Sequence, residues 1–150
     1  MKVLEEFAKL WKEELKLPFA VFGVIPNYVR EDKIALLLDA GMVRVRMGIQ
    51  SGSQDILDFY QRPTPLHRIQ KATKILNKYR KYMIPPAYDI IIDNPIETED
   101  DTRATLDLLQ EMPRPFTVNV YKLSVIPNTT LAKDIEGKGL DIPSIEKNFS

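Results

Sequence analysis

The stretch Tyr88-Asp89-Ile90-Ile91-Ile92-Asp93-Asn94-Pro95-Ile96-Glu97-Thr98-Glu99-Asp100-Asp101 decides the fold. Three consecutive isoleucines, Ile90 to Ile92, make a strand apolar on both faces, as expected of a strand covered on both sides in a parallel sheet. Asp93-Asn94-Pro95 closes that strand. Thr98 and Asp101 stand at capping-box spacing, with Asp in place of the usual Glu, for a helix through Gln110. A strand running directly into a capped helix is one βα unit, and the same pattern recurs on either side.

Upstream, Leu66 to Tyr82 reads as a long helix with Ile69, Ala72, Leu76 and Tyr79 facing inward, set off by the break Arg62-Pro63-Thr64-Pro65. Val43 to Ile49 is a second strand, ending in the small-residue turn Gln50-Ser51-Gly52-Ser53, where Ser53 caps a short helix through Phe59. Asp32 to Ala40 is a helix stopped by Gly41, with Ile34, Leu37 and Leu38 on one face. Phe19 to Ile25 is a short buried strand closed by Pro26. Val3, Leu4, Phe7, Leu10, Trp11 and Leu15 give an amphipathic first helix ended by Pro18. Downstream, Phe116 to Ile126 is a fourth extended segment, followed by a helix from Thr129 to Glu136 and a Gly- and Pro-punctuated tail from Gly137. The fold class is α/β, built of right-handed parallel βα units. Four such units make either half of an eight-unit barrel or a small open sheet.

The chain has 150 residues, enough for one domain with its own core. Its 21 basic and 21 acidic residues cancel, so neither nucleic acid nor a membrane surface is expected as a partner. No apolar run approaches the roughly 18 residues that span a bilayer. Acidic residues throughout the first helix argue against a signal peptide, and a cytoplasmic location is expected. There is no cysteine, which excludes disulfides, cysteine nucleophiles and any iron–sulfur cluster ligated by cysteines of this chain. The single histidine, His67, falls on the polar side of a helix start and is read as exposed.

In parallel α/β folds, ligands meet the carboxyl ends of the strands, so the polar residues there are the candidates. Gly48-Ile49-Gln50-Ser51-Gly52-Ser53 is either a tight turn with a helix cap or a place where Gln50 and Ser51 face a ligand and the glycines let it approach. Arg44 and Arg46 alternate on one face of the second strand. In a half-barrel that face lines the cavity, where arginines bind carboxylate or phosphate. Arg62 either reaches back over the same strand end or is an ordinary surface arginine. Asp89, inside an otherwise apolar strand, needs a partner or a ligand, because an unpaired buried charge costs several kcal/mol. Asp93, Asn94 and Glu97 follow at its end. Asn119 and Tyr121 alternate with Val118 and Val120 on the fourth segment, which Asn128 closes. The basic run Lys74, Lys78, Arg80 and Lys81 is a solvated helix face without the interleaved aromatics of a nucleic-acid platform. No phosphate-cradling glycine loop is present.

VRMGIQSGSQDIL (45–57), YQR (60–62) and YDIIIDNPIETEDD (88–101) together resemble the middle and C-terminal part of a radical S-adenosylmethionine (SAM) enzyme. The longer stretches 24–53, 85–98 and 112–129 resemble the cobalamin-binding-domain subgroup, typified by the anaerobic magnesium-protoporphyrin IX monomethyl ester oxidative cyclases. The resemblance implies a partial TIM-type barrel, about strands three to six. It implies that Gln50, with Ser51 beside it, meets the SAM ribose. Arg62 pairs with the SAM carboxylate, Asp89 lies near the ribose hydroxyls, and the region from Leu123 to Ile126 lies beside the adenine. No residue is assigned a catalytic or metal-binding role. A [4Fe-4S] cluster, cobalamin and a small-molecule substrate such as a tetrapyrrole are implied for the intact enzyme, an oxidoreductase working through a 5′-deoxyadenosyl radical.

The cluster-binding CxxxCxxC loop, the strand-two segment and the cobalamin domain have no counterpart here. The chain is therefore expected to be an inactive piece of such an enzyme, forming homo-oligomers through its open sheet edges. Two other readings stand beside this one. One is a cysteine-free α/β binding or regulatory module; the other is a small hydrolase or transferase built on Asp89, Asp93 and Glu97.

Overall fold

A computed structural model describes residues 1–62 and 64–139, so Pro63 of the proline break and the tail beyond Gly139 lie outside the described residues. The N-terminal apolar stripe forms α1 (Lys2–Leu10) and continues as one π-helical turn, Trp11–Leu15. Lys16, in left-handed backbone at φ 52°, ends it just ahead of Pro18. Then come β1 (Phe19–Val24), a 3-10 turn (Pro26–Tyr28), α2 (Glu31–Asp39), β2 (Met42–Gln50), α3 (Gln54–Phe59) and α4 (Leu66–Lys78). β3 (Ala87–Ile92), α5 (Glu99–Glu111), β4 (Thr117–Lys122) and α6 (Thr130–Gly137) complete the described chain. The strands form one sheet in the order β1-β2-β3-β4, every neighbour parallel, which is the α/β arrangement of parallel βα units that the sequence implies.

Two elements are shorter than their sequence suggests. α4 gives way after Lys78 because Tyr79, Arg80 and Tyr82 donate to carbonyls three residues back, the tight turns that close a helix. Ile84 N then donates to Val43 O at 2.8 Å and pins the chain back onto β2. β4 stops at Lys122 rather than Ile126. Leu123 N still reaches Ile92 O at 3.0 Å, but β3 ends at Ile92 and offers no carbonyl further on.

The sheet is not covered equally on its two faces, as three consecutive isoleucines had suggested. Val45, Met47 and Ile49 of β2 and Tyr88 of β3 are almost wholly buried, and they pack with Ile34, Leu37, Leu57, Ile69 and Leu76 from the helices. Each such side chain contributes about 1.5–3 kcal/mol through burial. By strand alternation Arg44, Arg46 and Gly48 of β2 and Asp89 of β3 take the opposite face. Helices gathered on one face and a polar opposite face are the arrangement of a barrel segment, not of a doubly wound sheet. Among the described residues β1 and β4 each leave one edge unpaired. No helix there is long and apolar enough to cross a membrane.

Candidate functional site

The register between β2 and β3 slips at the carboxyl end. Gly48 stands opposite Asp89, but Gln50 stands opposite Ile90. The slip coincides with Gln50 in left-handed backbone, φ 74°, which re-aims the last side chain of the strand. Its amide folds over Gly48, where an added Cβ would meet Gln50 Nε2 at 2.4 Å. Gly48 is thus the seat of the Gln50 amide. A cavity of about 150 Å³ opens there, lined by Gly23, Gly48, Gln50, Arg62, Thr64 and Asp89 among others. The structure therefore brings Gln50, Arg62 and Asp89 together, from β2, from the segment after α3 and from β3. Arg62 is exposed, and among the described residues no hydrogen-bond partner meets its guanidinium.

Asp89 is the fixed point of the polar face, with its side chain only 17% exposed. Arg46 Nε donates to both carboxylate oxygens at 2.8 Å, and Asn119 Nδ2 donates to Oδ1 at 2.8 Å. Arg46 Nη2 donates in turn to the Tyr121 hydroxyl, and the guanidinium lies 5.4 Å from that ring's centroid. The Asp89 carboxylate holds the Arg46 guanidinium above its ordinary range. The sequence shows each of these four residues singly and not their union. The signal lay in the parallel register, which sets Gly48, Asp89 and Asn119 in one row across β2, β3 and β4. Arg44 does not join this network: its Nη2 donates to Thr117 Oγ1 at 3.2 Å, and among the described residues its buried Nε has no partner.

Ser51 and Leu123 are placed elsewhere. Ser51 is fully buried; its Oγ accepts from Ser53 N at 3.1 Å and lies 3.3 Å from Thr105 Oγ1. Thr105 Oγ1 also accepts from Gly52 N at 2.9 Å, so this serine and glycine clasp β2 to α5 instead of facing the cavity. Leu123 packs with Phe59 against Val125, Ala132 and Ile135, a separate apolar cluster.

The loop after β3 is tied down by its own polar groups. Buried Asn94 donates to the Tyr60 hydroxyl at 3.2 Å and accepts from Ile96 N at 3.1 Å. Burial raises the Glu97 carboxyl above its usual range, and the charges of Asp101 and Asp93 add to this. Asp93 pairs with Lys122 at 3.3 Å. Among the described residues no three His, Cys, Asp or Glu side chains group as metal ligands would.

The Thr98–Asp101 capping box forms as its spacing predicts. Hydrogen bonds from Ser53 and Thr98 hold the Asp101 carboxyl below the ordinary range. Its stabilising effect is therefore full above the ordinary Asp pKa and disappears as pH falls through the lowered folded value. Asp101→Ala is expected to cost about 1 kcal/mol near neutral pH. The gap to the unaltered chain should be narrower at a pH below the ordinary Asp range. Urea denaturation at both pH values measures it, and a gap independent of pH refutes the assignment.

The family model described as the radical SAM superfamily matches residues 2–109. No curated protein sequence matches the chain significantly. Among solved structures, coproporphyrinogen III oxidase (HemN) from Escherichia coli, a radical SAM enzyme, superposes with a TM-score of 0.71 at 19% identity, over 95% of this chain and 33% of its own. OxsB, a cobalamin-dependent SAM radical enzyme, gives 0.75 at 14% identity, over 97% of this chain and 27% of its own. The radical SAM methyltransferase TsrM from Kitasatospora setae, with cobalamin and a [4Fe-4S] cluster bound, gives 0.69 at 17%, over 91% and 27%. The chain thus spans about a third or less of the length of these proteins. The family model covers most of the sequence, and the parallel sheet with one polar face is consistent with it: the chain belongs to the radical SAM superfamily.

Proposed function

We propose that this chain forms the ribose- and carboxylate-binding side of a SAM site. The observation that carries the reading is the meeting of Gln50, Arg62 and Asp89 on one cavity at the carboxyl ends of parallel strands. The residues fit that group. The rim is open at Gly23, where a Cβ would meet nothing within 4 Å. The Arg62 guanidinium offers a two-pronged grip on a carboxylate. Gln50 and Asp89 offer an amide and an acceptor for sugar hydroxyls. SAM, when bound, supplies the adenosyl group for radical chemistry; the residues named here hold and orient it.

The [4Fe-4S] cluster of the family does not fit these residues. The chain has no cysteine, and no step through the cluster is derived for it. In our reading the cluster ligands and any cobalamin site are contributed by other segments, and the chain alone is catalytically inactive. The intact enzyme is read as a cytoplasmic oxidoreductase of the oxidative cyclase type acting on a tetrapyrrole. Support for that comes from the resemblance of the stretches 24–53, 85–98 and 112–129 to the cyclase subgroup, and from the presence of coproporphyrinogen III oxidase among the structures of like fold. The unpaired outer edges of β1 and β4 support self-association of the isolated chain.

The test is a titration of the 150-residue chain with S-adenosylhomocysteine, followed by NMR of backbone and side-chain amides. The Gln50 amide and the Gly48 and Arg62 signals should shift together. Gly48→Ala, which drives the Gln50 amide off its seat, should weaken binding by about three- to tenfold, on the scale of one hydrogen bond. Signals at these three residues that do not respond to the nucleoside reject the reading.

A further inference from the structure

Asp89 is held in a way that favours one kind of ligand. In its row across the sheet Asn119 stands on one side, and on the other stands Gly48, which has no side chain. Arg46, one row back at the level of Ala87, reaches forward along the strands to grip both oxygens. Oδ1 accepts from both Arg46 and Asn119, whereas among the described residues Oδ2 accepts from Arg46 alone. A carboxylate has about four acceptor positions, so the free capacity is greater at Oδ2. The cavity at the strand ends is lined by Asp89 together with Gly48 and Gln50, so a ligand there comes within reach of the carboxylate. Arg46 also neutralises the carboxylate, so the site presents hydrogen-bond acceptors without a bare negative charge. An ammonium group gains little from such a pair, whereas a neutral diol gains hydrogen bonds to a charged acceptor already in place.

We propose that Arg46, Asn119 and Tyr121 are positioning residues that aim Asp89 at the vicinal hydroxyls of a ribose, making this face selective for ribonucleosides over deoxyribonucleosides. The inference rests on the nucleoside-binding reading above. It assigns the selectivity to a network on β2 and β4 instead of to Asp89 alone. Tyr121 acts at one remove, by holding the guanidinium that holds the carboxylate.

Calorimetric titration of the full 150-residue chain with S-adenosylhomocysteine and with its 2′-deoxy and 3′-deoxy counterparts tests it. The unaltered chain should prefer the ribonucleoside by about tenfold or more over at least one of the deoxy forms. Arg46→Met should reduce that preference to about threefold or less, mainly by weakening the ribonucleoside, and Arg46→Lys should retain part of it. Tyr121→Phe removes one hydroxyl from a residue that is 42% exposed, so it keeps the fold and should give an intermediate preference. A purely structural role would weaken ribo and deoxy ligands equally, and that result overturns the proposal. A preference unchanged in both Arg46→Met and Tyr121→Phe also overturns it, as does an unaltered chain that binds all three ligands alike. If the unaltered chain binds none of them, the nucleoside-binding reading itself falls, and this inference with it.

Discussion

Arg62→Ala should lower the affinity of the chain for S-adenosylhomocysteine by about 10- to 100-fold and move its melting temperature by less than about 2 °C. The affinity figure follows from losing a charge-assisted grip on a carboxylate, about 1.5–3 kcal/mol. The small thermal effect follows from what Arg62 does in the fold. Its backbone N donates to Leu57 O at 2.9 Å and its carbonyl accepts from Thr64 N at 2.6 Å, and alanine preserves both contacts. Its exposed guanidinium holds nothing else together among the described residues. Arg62→Lys should recover only part of the affinity, because an ammonium is a point charge and cannot fork. Calorimetry and thermal unfolding of the same samples check both halves. Unchanged affinity removes Arg62 from the site, and a large drop in melting temperature makes it structural.

Gly52→Ala should be the most damaging of the glycine-to-alanine changes. A Cβ there would stand 2.5 Å from Ala104 O and 2.5 Å from Thr105 Cα, which are backbone atoms of α5 and cannot turn aside as a side chain would. The two elements must separate, and the bond from Gly52 N to Thr105 Oγ1 at 2.9 Å separates with them. Overpacking costs about 1–3 kcal/mol and the lost buried bond adds to it, for a total of about 3 kcal/mol. For a chain of this size that is a fall of about 6–12 °C in melting temperature. Gly137→Ala, near the end of α6, serves as control, since its Cβ would meet nothing within 4 Å. A Gly52→Ala chain as stable as this control would show that the helix and the strand end are not in contact.

The order of strands and helices was legible because each carries its own period and stop signals. Ser53 and Thr98 cap their helices as local spacing says they should. The strand-end rule offered Gln50, Arg62 and Asp89 singly, and with Arg62 reaching back over the strand end only as one of two alternatives; the resemblance is what joined the three. What escaped depends on the register. Gln50 and Ser51 are adjacent, yet the left-handed turn sends the first to the cavity and buries the second against Thr105, 54 positions away. Arg46 meets Asp89 from 43 positions away because two parallel strands align, and no periodicity within either strand announces it. Ile90 to Ile92 suggested cover on both faces; the face of Asp89 is polar because the neighbouring strands put Arg46 and Asn119 there.

The order β1-β2-β3-β4 has a consequence for how the chain acquires its shape. Every strand pairs with the next one in sequence, so no strand must wait for a distant segment before it finds a neighbour. The sheet can grow in one direction as the polypeptide leaves the ribosome, each βα unit docking on the unit already formed. Loop-closure entropy is then met in short instalments instead of one long search, which keeps folding fast for a parallel sheet. The growing edge is also the surface at which the next unit must arrive promptly, because until then it is the part of the nascent chain most open to pairing with a stranger.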